Sequence, residues 1–130
     1  MRFAPDDSAR GHLIQGYDET GILINGQRHS ACLLVCGERL YSPWGPEADP
    51  TALSAEQLAQ LVALAPQVLL LGTGRHARLP RPSLLLPFSQ QGIGVEIMTT
   101  AAACRTYNVL SAEGRRVAAM LMPPDFDSGS

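Results

Sequence analysis

Residues 92–122 constrain the fold of this chain more than any other stretch, because they carry the complete pattern of one folding unit. They read GIGVEIMTTAAACRTYNVLSAEGRRVAAMLM: an apolar run, two threonines, a run with helical spacing, a glycine and a second apolar run. Threonine oxygens cap the free amides at a helix start, and glycine adopts the left-handed conformation that ends a helix. We therefore predict buried strands at residues 95–98 and 117–122, parallel and in one sheet, joined by a helix from Thr99 or Thr100 to about Glu113.

The stretch before this unit repeats the alternation of helix and strand. Ser54 with Gln57 three residues later is the pattern of a capping box, and it predicts a helix that begins there. The unbroken apolar run at residues 68–71 is typical of a covered parallel strand. Residues 72–82 are predicted as a loop, and residues 83–91 as a short helix despite Pro87.

The first fifty residues have the pattern of antiparallel strands. Asn25 and Gly26 form a strong hairpin signal, since both tolerate positive φ. Residues 28–35 are apolar on both faces, so we expect one strand that is buried on both sides. Together the halves predict an α/β fold: a single three-layer β/β/α domain with an antiparallel meander, a largely parallel β-α-β part and helices on one face. The domain is expected to span residues 1–122, and residues 123–130 to form a polar, flexible tail.

Composition excludes several classes of partner and chemistry. A net charge of −2 does not favour nucleic acid or an anionic membrane, and no apolar run is long enough to predict membrane insertion. All ten basic residues are arginine, so no lysine chemistry is available. The acidic start of the chain predicts no secretory signal. Three cysteines (Cys32, Cys36 and Cys104) without metal spacing indicate free thiols in a reducing cytoplasm and no metal site. No cofactor is predicted.

The candidate site lies where the predicted strands at residues 68–71 and 95–98 end. If these strands are parallel neighbours, residues 72–74 and the helix start at Thr99 and Thr100 lie side by side; we call these five residues the mouth. Helix amides and nearby arginines attract an anion, such as a carboxylate, a phosphate or an acidic partner surface. The predicted binding surface comprises Gly72, Thr73, Gly74, Arg75, Thr99, Thr100, Cys104, Arg105 and Asn108.

Two more specific chemistries would use residues of this surface. Gly72, Gly74 and Ala77 fit a dinucleotide-binding pattern, but Pro80 and Pro82 prevent the helix that this fingerprint requires at the loop. Cys104 stands near a helix start beside Arg105, which would favour a nucleophilic thiolate with His76 as its base. No third group is evident to orient such a base, so we predict that Cys104 is buried and unreactive.

Arg105 is predicted to face the mouth and to order it. The residue lies off the apolar face of its helix, close enough to the helix start to reach the neighbouring loop. Its planar fork can hold two acceptor atoms at once. Glu96 or a loop carbonyl is the expected internal partner.

Four motifs give the chain a resemblance to a known family. LGTG at residues 71–74, GIGVEIMTT at 92–100, ACRTYN at 103–108 and EGRRVAA at 113–119 occur in this order. They resemble a small-domain family of undetermined biochemical function from bacteria and archaea. That family also includes a mitochondrial NADH dehydrogenase (complex I) assembly factor and an animal adipogenesis-associated protein. The resemblance implies a three-layer β/β/α domain and supplies no catalytic residues.

Two functional interpretations follow. The first is a non-catalytic binding or assembly-factor-like domain that acts on protein partners. The alternative is a protein that uses the mouth to bind a small anion or a nucleotide, a class that includes enzymes. The first class places a side chain or tail of a partner protein in the mouth, and the second places a discrete ligand there.

Overall fold

A computed structural model of the chain describes residues 13–46 and 49–127, and the predicted lack of a secretory signal concerns residues outside these ranges. The described part forms eight strands and three helices. In chain order they are β1 (Ile14–Asp18), β2 (Gly21–Ile24), β3 (Gln27–His29), β4 (Leu33–Cys36), β5 (Arg39–Tyr41), α1 (Ala55–Ala63), β6 (Val68–Gly72), α2 (Pro82–Gln90), β7 (Gly94–Met98), α3 (Thr100–Ala112) and β8 (Val117–Leu121).

The strands form two sheets. The small sheet has the order β1-β2-β3 and is antiparallel throughout. The large sheet has the order β5-β4-β8-β6-β7, in which β8, β6 and β7 are parallel and the β4–β5 hairpin pairs antiparallel at β8. The prediction that the strands around α3 are parallel members of one sheet is confirmed, with β6 lying between them.

The large sheet is the middle layer, and its two faces bury different partners. On one face Leu70 and Ala119 pack with the small sheet and with Tyr107 of α3. On the other face Leu69 and Met120 pack with α1 and α2. The three-layer α/β architecture is therefore present. The expectation that all helices lie on one face is wrong, because α3 shares its layer with the small sheet.

The run at residues 28–35 is not one strand. The chain leaves the small sheet at His29 and enters the large sheet at Leu33. Cys32, between the two strands, is buried in the core that faces α1 and α2. An unbroken apolar run covers residues 31–36, and it begins within the connection between the two strands. Because this run is apolar on both faces, its pattern does not mark where β4 begins.

Local signals predicted most element boundaries. The capping box is present, with the Ser54 hydroxyl accepting from the Gln57 amide at 3.1 Å and the Gln57 side chain accepting from the Ser54 amide at 2.9 Å. The short helix α2 forms with Pro82 in its first turn and Pro87 inside it. The strand at residues 95–98 differs from its expected full burial, since β7 is an edge strand and is partly exposed.

Candidate functional site

The mouth forms where β6 meets the start of α3, and its glycine is required by close packing. A side chain at Gly72 would place a Cβ 3.1 Å from the Ala103 Cβ, 3.1 Å from the Thr100 Cα and 2.9 Å from the Leu121 Cδ2. Real Cβ atoms are almost never as close to another atom as that shortest distance. Glycine therefore allows α3 to lie directly on the sheet, as it does at other close backbone approaches.

The polar groups of the mouth bond to one another. The Thr100 amide donates to the Gly74 carbonyl at 2.9 Å, and the Gly74 amide donates to the Thr100 hydroxyl at 2.8 Å. The Thr73 amide extends the β6–β7 ladder to Met98 at 3.0 Å. The Thr99 hydroxyl caps α3 by accepting from the Ala102 amide at 3.2 Å. The Thr100 and Ala102 amides, at the helix start that was predicted to attract an anion, thus already have partners within the chain.

Thr73 organises the loop that follows β6. It is buried, and its hydroxyl donates to the His76 carbonyl at 2.5 Å and accepts from the Arg78 amide at 3.0 Å. Thr73 and Thr100 are the two buried polar residues among those described. Burying a hydroxyl is costly unless it is hydrogen-bonded, and both threonines meet that requirement.

Residues 123–127 close the mouth from outside. The Arg75 amide donates to the Phe126 carbonyl at 2.9 Å, and Phe126 packs so tightly on Gly74 that a Cβ there would collide with its backbone. Asp127 lies 3.9 Å from both Arg75 and His76 in an exposed setting. Phe126 and Asp127, which lie in the stretch predicted to be a polar, flexible tail, therefore contact the β6 loop; residues 128–130 lie outside the described part.

Cys104 is buried, as predicted. Burial raises the pKa of its thiol from 9.0 to about 12, and the positive charge of Arg105 acts in the opposite direction without reversing the shift. The thiol is therefore protonated at neutral pH. A protonated thiol in the core is a weak nucleophile, so the geometry favours a packing role.

Arg105 has a different partner from the one expected. Its Nη1 donates to the Tyr17 hydroxyl of β1 at 2.6 Å in an exposed position. The expectation of a bond to Glu96 or a loop carbonyl is wrong. The reason is that α3 lies beside the small sheet. The Arg105 side chain, which lies off the apolar face of α3, therefore contacts β1 instead of the loop after β6.

Two neighbours of Arg105 also connect α3 to distant strands. The Asn108 amide group accepts from the Ile14 backbone N–H at 3.1 Å and donates to the Ile14 carbonyl at 2.7 Å. The Tyr107 hydroxyl accepts from the Gly37 amide at 3.1 Å, in the turn between β4 and β5. The CRTYN motif is thus a set of attachments between α3 and both sheets.

The nine predicted site residues therefore fall into two groups. The first group is the five residues of the mouth together with the adjoining Arg75, while Cys104, Arg105 and Asn108 belong to the contact between α3 and the small sheet. Tyr17 and Phe126 were not among the predicted residues, because their partners are far away in sequence. A polar tip on an otherwise apolar helix face, as in Tyr107, is the one local signal for such an attachment.

A groove of about 860 Å³ lies at the opposite end of α3, and none of the nine residues lines it. Its walls come from the β4–β5 turn, the end of α1 and the start of β8, and they include Cys36, Arg39 and Arg116. Within residues 13–46 and 49–127, no cluster of histidine, cysteine or acidic side chains is arranged to hold a metal. No helix in the same ranges is long and apolar enough to cross a bilayer.

Comparison with known proteins agrees with the motifs. The family described as protein of unknown function, DUF498/DUF598, matches residues 14–122. A Xenopus tropicalis protein named NADH dehydrogenase (ubiquinone) 1 alpha subcomplex assembly factor 3 is 34% identical over 121 residues, which is 91% of this chain and 64% of that protein. This chain therefore spans less than two thirds of that relative's length.

Two bacterial proteins are similar over more of their length. An uncharacterised protein of Rhodobacter capsulatus is 41% identical over 113 residues, covering 85% of this chain and 83% of the relative. A crystal structure of a Bordetella parapertussis protein superposes with a TM-score of 0.77 at 40% identity, covering 89% of this chain and 98% of that one. The resemblance and the fold class predicted from the sequence are both confirmed.

Proposed function

This chain belongs to the DUF498/DUF598 family, and we propose that it is a non-catalytic domain that binds protein partners in an assembly-factor-like role. The Xenopus tropicalis relative bears the name of an assembly factor, and an assembly factor acts on proteins. We extend that role to this chain, with NADH dehydrogenase as the complex whose assembly it assists, and we place the chain in the cytoplasm, where its three free thiols are stable.

The distribution of exposed apolar side chains carries the proposal. In the described part of the chain, three large apolar side chains are exposed: Leu79, Leu86 and Val109. Leu79 and Leu86 both belong to the crossover between β6 and the edge strand β7, and Leu79 is 82% exposed. Two exposed leucines in the crossover that leads to an edge strand fit a surface that contacts another protein.

The internal bonding of the mouth argues for the same interpretation. The Gly74 and Thr100 amides have partners within the chain, and the Cys104 thiol is protonated in the core. An anion or a nucleotide would have to displace these hydrogen bonds, so we propose no second function at the mouth.

Deletion and complementation test the proposal. Removing the gene from its host should lower the amount of assembled respiratory NADH dehydrogenase on a native gel, and the wild-type gene should restore it. A double variant, Leu79→Asp with Leu86→Asp, should fold normally and restore less of the complex, because charge on a contact surface weakens association.

Val109→Asp is the matched control, since Val109 is comparably exposed but lies on α3. It should restore the complex fully. A deletion strain with normal amounts of NADH dehydrogenase would contradict the assembly role. Equal complementation by the double variant and the control would contradict the proposed surface.

A further inference from the structure

The β7 edge differs from the other sheet edges of the described chain. Strands β3 and β5 are only three residues long. Strand β1 carries a register irregularity between Ile14 and Gly16, and Asn108 already bonds to the backbone of Ile14. Strand β7 is five residues long and pairs with β6 in an uninterrupted register. It is therefore the edge best suited to receive another strand.

The hydrogen-bond pattern identifies which β7 backbone groups point outward. The Gly94 amide donates to Gln67 at 3.1 Å, and the Met98 carbonyl accepts from Thr73 at 3.0 Å, so both residues face β6. In a parallel ladder the backbone groups of successive residues point alternately to the two sides of the strand. The N–H and C=O groups of Val95 and Ile97 therefore point to the open edge. Two donors and two acceptors are available there to an added strand.

The side chains of β7 differ between the two faces of the sheet: the face toward α1 and α2 is apolar, and the opposite face carries the acidic Glu96. Val95 and Ile97 are partly buried against the core that contains α1 and α2. Glu96 points to the α3 face and is exposed. Within the described residues it makes no hydrogen bond and no ion pair, so its carboxylate remains available to a cation on an adjacent strand.

We propose that β7 is the docking edge for a protein partner, which adds an extended segment as a further strand of the large sheet. The segment carries a basic side chain opposite Glu96, with apolar residues on both sides of it opposite Val95 and Ile97. This inference rests on the proposed function and specifies how the partner binds. Main-chain bonds supply the affinity, while the alternating side chains supply the specificity.

The same glutamate disfavours a second copy of this chain as the occupant. Two β7 strands could pair antiparallel with Val95 of one copy opposite Ile97 of the other. That register places the two Glu96 carboxylates directly opposite each other, and like charges at such positions destabilise a strand pair. Glu96 therefore selects a basic partner strand over self-association.

A blocked seven-residue peptide, Ser-Thr-Val-Lys-Val-Thr-Ser, tests the proposal with the full ¹⁵N-labelled chain. Peptide binding should slow hydrogen exchange of the Val95 and Ile97 amides several-fold, because these N–H groups gain acceptors. The amides of Gly94, Glu96 and Met98 already donate to β6 and should change little. A peptide with glutamate in place of lysine should bind more weakly.

Charge reversal tests the role of Glu96. Glu96→Lys should weaken binding of the lysine peptide about three- to tenfold at low salt and should favour the glutamate peptide. Glu113→Lys, at an exposed acid beyond the last residue of α3, is the matched control and should leave both affinities unchanged.

Three outcomes overturn this docking mode. They are unchanged Val95 and Ile97 exchange at several millimolar peptide, equal binding of the two peptides, and a wild-type dimer in which these amides are already protected. Complementation separates this failure from that of the function. If the double leucine variant fails to restore the NADH dehydrogenase while Glu96→Lys restores it, the protein-binding role stands and the β7 mode does not.

Discussion

At the residue scale, burial determines what the cysteines can do. Cys32 and Cys104 are both buried, and burial raises the pKa of each thiol from 9.0 to about 12. The Cys32 thiol also contacts the Met120 sulfur at 3.3 Å. The lack of a third group to orient a catalytic base was sufficient to predict that Cys104 is buried. The sequence was insufficient to predict the partner of Arg105, because Tyr17 is 88 residues away in sequence.

These thiols predict a loss of stability in alkaline solution. A folded-state pKa of about 12 lies above the unfolded value near 9, so each thiol contributes its full stabilisation below pH 9 and loses it as the pH rises. The free energy of unfolding should fall by about 1.4 kcal/mol per pH unit per thiol above pH 9. Urea unfolding at pH 8, 9.5 and 10.5 measures this slope.

Cys104→Ala is the control for that slope. The variant should be less stable than wild type at pH 8, because it leaves a small cavity, but its stability should fall less steeply with pH. A native Cys104 that reacts within seconds with a bulky thiol reagent at pH 7.5 would contradict the buried, protonated thiol. So would an unchanged slope in the variant.

At the element scale, short sequence patterns predicted the helix ends, because neighbouring residues form them. The capping box of α1, the Thr99 cap of α3 and the left-handed Gly114 that follows α3 all form as their spacing indicated. The crossing from β3 to β4 was not predictable in this way. Both strands are short and both contribute to the interior, so hydrophobic spacing alone carried no sign of the change of sheet.

Gly72→Ala tests the close approach of α3 to the large sheet. The added methyl group would meet Leu121 and Ala103 and would push α3 away from β6. Overpacking of this kind should lower the free energy of unfolding by about 1–3 kcal/mol. Chemical denaturation measures the change.

Gly94→Ala is the matched control on a neighbouring strand. Its Cβ would lie 3.7 Å from the nearest atom, the Gln67 carbonyl oxygen, and its φ is not in the left-handed region. The substitution should be neutral or should stabilise the chain by up to about 1 kcal/mol, through a less flexible unfolded state. A destabilisation equal to that of Gly72→Ala would show that loss of glycine itself, and not contact with α3, is responsible.

At the scale of the whole molecule, α3 holds the layers together. Its apolar face packs on the large sheet through Ala103 and Tyr107, while Arg105 and Asn108 reach the small sheet. This explains why the candidate site was only half predictable. The sequence placed the mouth correctly because neighbouring strand ends and a helix start form it. It could not place the second group, which depends on where the small sheet packs.

Asn108→Ala tests whether the contact between α3 and β1 stabilises the molecule as a whole. Alanine is the better helix former, by roughly 0.5 kcal/mol, so helix propensity alone predicts a gain in stability. Loss of both Ile14 backbone partners predicts a larger opposite effect, about 1–3 kcal/mol, because a partly buried N–H and C=O are left unsatisfied. We therefore expect net destabilisation in urea and faster hydrogen exchange at the Ile14 amide.

Val109→Ala, at the exposed neighbouring position, gains the same propensity without losing a bond and should be at least as stable as wild type. Equal stability of the two variants would mean that the small sheet is held by its apolar core alone.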